Sequence, residues 1–377
     1  MRRTPLSVVT PMRAPADPGP SSDPGKAAYR GRFAPSPTGP LHLGSLLAAV
    51  ASYADARANR GIWLVRMEDL DRAREVPGAS DLILRTLSAF GFEWDEAVVI
   101  QSRRTDAYRD ALDTLKALDL TYPCGCSRTE VARAGRSGPE GPVYPGTCRA
   151  GLALGRRART ERFRTPPGAL GFEDRIQGRQ QQKVDEAVGD FVLRRADGIH
   201  AYQLAVVVDD ALQGITQVVR GADLLLSTPR QILLQRALGF SQPGYAHVPL
   251  VLDAAGRKLS KSLAAAPVDA RDPLPALRAA WTLLGQTPPP ADLHIDAFWT
   301  WAIAEWRIAR IPAKTSAEYP SAASPRTREP FARPSTPRHP DGPQCNRFQS
   351  ADPDQRHGPS LLRGPHPDAG PASVGDR

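Results

Sequence analysis

The sequence predicts an α/β fold, a Rossmann-like parallel sheet in two halves with an insertion between them and a short helical part after them. Three observations predict it. Short apolar runs alternate with amphipathic stretches over 30–119 and again after 189, the βα rhythm of an open parallel sheet. From 120 to about 186 that rhythm fails, and cysteines, glycines and basic residues replace apolar alternation. After 263, two helically spaced stretches follow, the second with a Trp-rich apolar face.

In chain order, 1–29 is rich in Pro, Ser and Gly without periodicity and reads as a disordered lead-in. The first half of the Rossmann-like domain, 30–119, carries strands at 29–34 and 62–67 and helices at 45–59, 79–90 and 104–117. The insertion occupies 120–188. The second half, 189–262, carries strands at 205–209, 217–220 and 247–252 and a helix at 224–238. Helices at 274–284 and 295–309 fill the segment 263–313. Residues 314–377 hold a proline at roughly every fifth position, which cannot sustain helix or sheet, and read as a disordered tail.

Of the 377 residues 41% are hydrophobic, enough to bury a real core. No apolar run approaches the roughly 20 residues of a membrane span, and the N-terminus lacks a secretory h-region, so a cytoplasmic protein is expected. Four cysteines in so long a chain do not make a disulfide framework. The net charge of +9 divides into +2 in each flank and +5 over 30–313, a mild excess that agrees with an RNA partner and by itself decides little.

The first strand runs into the turn Arg32-Phe33-Ala34-Pro35-Ser36-Pro37-Thr38-Gly39-Pro40-Leu41-His42-Leu43-Gly44-Ser45. Prolines stiffen this turn, Gly44 admits a close ligand, and the following helix N-terminus offers N–H groups to phosphate. His42 there can donate to a phosphoryl oxygen as its charge grows. Far along the chain, Gly256-Arg257-Lys258-Leu259-Ser260-Lys261-Ser262 sets two lysines three residues apart in a small polar loop, suited to clamping a triphosphate.

His42-Leu43-Gly44-Ser45 resembles the HIGH signature, and Lys258-Leu259-Ser260-Lys261-Ser262 the KMSKS signature, of class I aminoacyl-tRNA synthetases. With Arg66-Met67-Glu68-Asp69-Leu70-Asp71, the run from Arg32 narrows the resemblance, over about 30–313, to the glutamyl/glutaminyl branch and its HUP-type core. Two departures stand out: Ser45 replaces the last His of HIGH, so that Ser45 or a backbone N–H must serve phosphate there, and Leu259 replaces the Met of KMSKS. The resemblance implies ATP binding by His42, Gly44, Ser45, Lys258 and Lys261, with Mg2+ accompanying ATP and His42, Lys258 and Lys261 countering charge in catalysis.

A glutamate ligand needs a cation for its side-chain carboxylate and an anion for its α-ammonium group. Arg32 and Arg220 end predicted strands at the carboxyl edge of the sheet, and Glu68 follows the second strand there. The resemblance implies glutamate-binding roles for Arg32, Ser36, Glu68, Tyr202 and Arg220, in a pocket that also includes Phe33, Ala34 and Pro35. In the insertion, Cys124, Cys126 and Cys148 can hold Zn2+ if a fourth ligand completes the shell, and buried free thiols are the alternative. The resemblance supplies Tyr144 as that fourth ligand of a structural zinc in an acceptor-type subdomain, although the 126–144 loop is longer than the family leads one to expect.

About fifty residues of plausible structure follow Ser262, too few for a helical anticodon-binding domain. That form is similar to the branch of the glutamyl type lacking this domain, which implies that glutamate is activated without tRNA and passed to the cyclopentenediol of queuosine in tRNA(Asp). No membrane and no obligate protein partner is implied. Two alternatives stay open, a glutamyl core charging a tRNA 3′ end with help from a partner, and a non-catalytic RNA-binding relative.

Overall fold

The computed structural model describes residues 28–252 and 266–318. Strands β1 (Arg30–Phe33), β2 (Ile62–Met67) and β3 (Val99–Ile100) form a parallel ribbon in the order β1-β2-β3, with helices α1 (Leu43–Ala58), α2 (Ala79–Ala89) and α3 (Thr105–Ala117) following in sequence. The insertion opens with β4 (Thr121–Cys124), α4 (Arg128–Ala134) and the short hairpin β5 (Ser137–Gly138) and β6 (Gly141–Pro142). There follow β7 (Thr160–Phe163), β8 (Ala169–Asp174), β9 (Gly178–Lys183), α5 (Val184–Ala187) and β10 (Val192–Arg194). The second half contributes α6 (Tyr202–Leu212), β11 (Gln217–Gly221), α7 (Thr228–Leu238), β12 (Gly244–Val248) and β13 (Leu250–Leu252). Helices α8 (Leu274–Leu283) and α9 (Ile295–Glu305) and strand β14 (Ser316–Glu318) end the described chain.

Strand β11 pairs in parallel with β12. It also lies against β1, where Thr216 N–H donates to Arg30 O at 3.0 Å and Arg30 N–H to Thr216 Oγ1 at 2.9 Å. The two half-sheets therefore meet at their first strands, as the parallel α/β prediction requires. Helix α1 covers this seam. Its buried alanines 49, 51, 54 and 56 let it sit close to both strands and to α8 and α9. Burial of nearly its whole circumference explains why it is apolar almost all round instead of amphipathic.

At the foot of α1 the fully buried Asp55 carboxylate gathers three other segments of the chain. Tyr29 Oη donates to it at 2.5 Å, Arg175 at 2.6 and 3.1 Å, and Trp306 Nε1 at 3.0 Å. Burial first, then the Asp55 charge, holds the Tyr29 hydroxyl protonated far above its ordinary range. The Trp-rich stretch thus packs as the sequence implies: Trp299 meets Tyr53 edge-on at 4.7 Å, and Trp281, Phe298 and Trp306 close the core over α1.

Several expectations are corrected. The apolar run at 205–209 is the middle of α6 and not a strand. Its valines are buried on every side between α3 and α7, and a short all-apolar run carries no period to separate strand from helix. The stretch 247–252 is broken by Pro249 into β12 and β13, since proline supplies no ladder donor. The helix expected from 224 begins at Thr228 behind a 3-10 turn at Ala222–Ser227, with Pro229 in its first turn. The helix expected over 295–309 stops at Glu305, where Trp306 turns extended.

The segment expected to be irregular from 314 supplies β14, which pairs in parallel with β13. The hairpin β8–β9, inside the predicted insertion, joins the second half-sheet through Tyr245 and Asp174. No helix among the described residues is long and apolar enough to cross a membrane.

Removing the Asp55 carboxylate strands a guanidinium, an indole N–H and a phenol at one buried point. Asp55→Ala is expected to lower the unfolding free energy by about 3 kcal/mol in urea titrations. A loss below about 1 kcal/mol would mean that this junction is not a structural keystone.

Candidate active site

The turn after β1 is built by the residues at its end. His42 caps α1, its Nδ1 accepting from the Ser45 N–H at 3.2 Å, while the His42 N–H donates to Ser45 Oγ at 3.0 Å and Ser45 Oγ donates to His42 O at 2.9 Å. An accepting Nδ1 puts the proton of the neutral ring on Nε2, the tautomer needed for a phosphate donor. Both polar groups of Ser45 are engaged with His42, so here Ser45 positions the imidazole, and it reaches phosphate only if those bonds open. Gly44 lets the ring lie close: a Cβ there would stand 3.1 Å from His42 Cε1 and 3.2 Å from Nδ1, so the ring would have to give by a few tenths of an ångström.

Backbone bonds tie this turn to its neighbours. Glu68 N–H donates to Pro35 O at 2.9 Å and Val76 N–H to Pro37 O at 3.0 Å, which brings the loops after β1 and β2 together. On the other side His42 forms an antiparallel bridge with Pro267, and Val268 N–H donates to Leu41 O at 3.0 Å. Lys258 and Lys261, with the rest of 256–262, lie outside the described residues.

At the carboxyl edge of the sheet three arginines and two carboxylates meet. Arg32 reaches Asp210 with Nε at 3.1 Å and Nη2 at 3.3 Å, and Arg66 reaches the same carboxylate at 2.8 Å and Glu68 at 3.2 Å. Burial works against the Glu68 anion and raises its pKa, with Arg66 and Arg32 opposing. Asp210 is equally buried, but there the two arginines prevail and its pKa is lowered. Behind them Asp209 accepts from Arg104 at 2.6 Å, Tyr108 Oη at 2.7 Å and Gln101 Nε2 at 2.8 Å. Arg66 Nε lies 3.9 Å from Asp209, an ion pair too long for a hydrogen bond.

Arg220, at the end of β11, is held differently. Its Nε donates to His247 Nε2 at 3.0 Å, Nη1 to Gln231 Oε1 at 2.8 Å, and Nη2 to Thr228 Oγ1 at 2.9 Å and Leu224 O at 3.4 Å. These hydrogen-bond partners are all neutral. Tyr202 opens α6 within the field of Arg220, Glu68, Arg32 and Asp210, and burial keeps its phenol protonated. Phe33 is buried, Ala34 and Pro35 half-buried, and Ser36 exposed on the turn. The glutamate candidates Arg32, Glu68, Tyr202 and Arg220 are thus brought together, with Ser36 on the adjoining loop.

Sequence reading missed Arg66, Asp209, Asp210 and His247. A signal existed for the first three: an arginine inside the apolar β2 and an acid pair ending an apolar run each need an opposite charge when buried.

The cysteine candidates also converge. Cys126 Sγ stands 3.7 Å from Cys148 Sγ, and all three sulfurs lie within 4.8 Å of one another. Four ligands around zinc at about 2.3 Å would place sulfurs about 3.8 Å apart. Tyr144 Oη is 3.3 Å from Cys124 Sγ and 3.9 Å from Cys126 Sγ, and it accepts from Cys148 N–H at 2.9 Å. Burial tends to raise the Cys124 thiol, yet Tyr144, the Cys126 N–H and Arg162 bring it down to about 7. The donor set and spacing fit a tetrahedral metal.

Gly44→Ala is expected to push the His42 ring aside by a few tenths of an ångström and to weaken ATP binding about tenfold, read by calorimetry with circular dichroism unchanged. Unaltered affinity would detach the His42 ring from nucleotide binding.

Known proteins carry the same architecture. Residues 28–288 match tRNA synthetases class I (E and Q), catalytic domain. Glutamyl-Q tRNA(Asp) synthetase of Chromobacterium violaceum is 56% identical over 287 residues, 76% of this chain and 96% of its own length. The namesake from Aromatoleum aromaticum is 54% identical over 303 residues, 80% of this chain and 96% of its own. Among solved structures, a glutamate tRNA ligase from Elizabethkingia meningosepticum in complex with its amino acid superposes with a TM-score of 0.64 at 26% identity, covering 77% of this chain and 67% of that one. The glutamate-tRNA synthetase from Elizabethkingia anophelis gives 0.66 at 26% identity, covering 78% and 68%. With the capped His42 turn, the seam of two half-sheets and a family match over most of its length, the chain belongs to the class I tRNA synthetases of the E and Q type.

Proposed function

We propose that this chain activates glutamate with ATP and transfers it to the queuosine of tRNA(Asp). The observation that carries the reading is 54–56% identity to Glutamyl-Q tRNA(Asp) synthetases over 96% of their length. The surroundings of Arg220 support it: its hydrogen-bond partners are all neutral, which leaves its charge available to a side-chain carboxylate, a group glutamate has and glutamine lacks.

In this reading Arg220 and Arg32 take the side-chain carboxylate, Glu68 the α-ammonium group, and the Tyr202 phenol donates a hydrogen bond. An α-carboxylate oxygen attacks the α-phosphorus of ATP in line, the α–β anhydride bond breaks, and pyrophosphate leaves. His42 Nε2–H, Lys258 and Lys261 counter the charge that builds on the phosphates, so positioning and electrostatics supply most of the acceleration. Mg2+ bound with ATP would add charge neutralisation. In the second step a hydroxyl of the cyclopentenediol attacks the acyl carbonyl and AMP departs, its phosphate taking the proton.

Cys124, Cys126, Tyr144 and Cys148 would hold a structural Zn2+ and so pin a subdomain whose own apolar cluster consists of little more than those four residues, Tyr122, Val131 and Leu152. The alternative product, a tRNA carrying glutamate at its 3′ end, is separated by assay.

With labelled glutamate, ATP and tRNA(Asp), label is expected only on tRNA that carries queuosine, and label at the 3′ end of tRNA(Glu) would favour the alternative. His42→Ala and Lys261→Ala are each expected to cut ATP–pyrophosphate exchange by at least about a hundredfold, and wild-type rates in both would refute the site. The purified chain should carry one zinc, and Cys148→Ser should lose it together with several degrees of thermal stability. Metal retained by that variant would exclude Cys148 as a ligand.

A further inference from the structure

Arg220 is the one guanidinium of the pocket with no carboxylate directly on it among the described residues, yet it is buried. Its counter-charge stands one ring away. His247, fully buried on β12, receives the Arg220 Nε–H on Nε2 at 3.0 Å and meets Asp174 Oδ2 through Nδ1 at 2.5 Å. An Nε2 that accepts requires the proton on Nδ1, and the Asp174 carboxylate enforces that tautomer. Asp174 is itself fixed, because its Oδ1 accepts the backbone N–H groups of Gln177 at 2.8 Å, Ile176 at 3.0 Å and His247 at 3.2 Å. Burial above all keeps the His247 ring neutral, its pKa lowered to about 4.

We propose that Asp174 and His247 are positioning residues that orient Arg220 toward the side-chain carboxylate of glutamate and so set the preference for glutamate over glutamine. The proposal rests on the reading of Arg220 as the group that meets that carboxylate. A carboxylate placed directly on Arg220, as Asp210 sits on Arg32 and Arg66, would compete with the substrate. The interposed imidazole keeps the anion at a distance while locking the Nε edge. With Gln231 and Thr228 on α7 holding the other nitrogens, the guanidinium cannot rotate, and its remaining donor capacity has a fixed direction. In Asp174→Asn the amide can still accept from the three backbone N–H groups. It would however present N–H to Nδ1, force the proton onto Nε2 and oppose it to the Arg220 Nε–H.

The test is ATP–pyrophosphate exchange with full-length protein, saturating separately in glutamate, glutamine and ATP, with unfolding midpoints recorded alongside. His247→Phe and Asp174→Asn are each expected to raise KM for glutamate roughly tenfold to a hundredfold, the range for one lost hydrogen bond to a charged group, with kcat and KM for ATP within about threefold. The glutamate-over-glutamine ratio should fall by the same factor. His247→Gln, whose amide oxygen can accept from Arg220, should recover to within about fivefold, and the His247→Phe/Asp174→Asn double variant should be no worse than the poorer single.

Arg220→Ala separates the two layers. If it leaves glutamate KM unchanged, the reading of Arg220 fails. If it abolishes glutamate use while His247→Phe and Asp174→Asn keep wild-type KM and selectivity, the relay alone is overturned. A uniform fall in kcat with raised KM for both substrates would mark a merely structural role and would also overturn it. Should His247→Phe prove insoluble, Asp174→Asn decides by the same criteria.

Discussion

The Asp210 carboxylate, shared between Arg32 and Arg66, is the contact on which the site is built. It joins the ends of β1 and β2 to α6, so the first half-sheet and the second half of the chain are fixed by one buried anion. Two guanidinium groups within a few ångströms of each other would repel in a dry interior, and each would carry a large desolvation cost alone. Asp210 offsets both, and its lowered pKa expresses how firmly the pair keeps it ionised.

From that constraint the division of labour among the arginines follows. Arg66 is spent on Asp210, Glu68 and the neighbouring Asp209 and acts as scaffold for the acids. Arg32 lies between scaffold and ligand. Arg220 sits on a separate strand among neutral partners, where its charge stays available. The two half-sheets touch through β1 and β11, which bear Arg32 and Arg220 at their carboxyl ends, and this is where an open parallel sheet leaves a crevice.

A second, smaller constraint governs the nucleotide side. The imidazole of His42 closes the N-terminus of α1 with its own Nδ1, so helix capping and tautomer choice are one event. Gly44 and Ser45 are then explained locally, one by the absence of a side chain under the ring and the other by its two hydrogen bonds to the His42 backbone. The Cys124, Cys126, Tyr144 and Cys148 cluster is separate from the rest of the core, and its spacing suits metal ligation in place of apolar packing.

How much of this was legible differed by kind of information. Sequence alone determined the α/β class, the strand at 62–67 and the helices around 45–59, 79–90 and 274–284, because each depends on local period or turn chemistry, and strand-end position, motif and family resemblance singled out Arg32, Glu68, Tyr202 and Arg220, which lie within one electrostatic neighbourhood. It misread 205–209 as a strand, since an apolar run buried on all sides has no polar face to reveal its period, and it passed over β14, whose pairing with β13 is a contact between distant segments. Only the tertiary structure decided that Asp210 serves Arg32 and Arg66, and that Asp174 reaches Arg220 through His247. Those partners are 178, 144, 73 and 27 residues apart in sequence. A buried charge demands a partner without saying where along the chain it will come from, and the fold alone supplies that address.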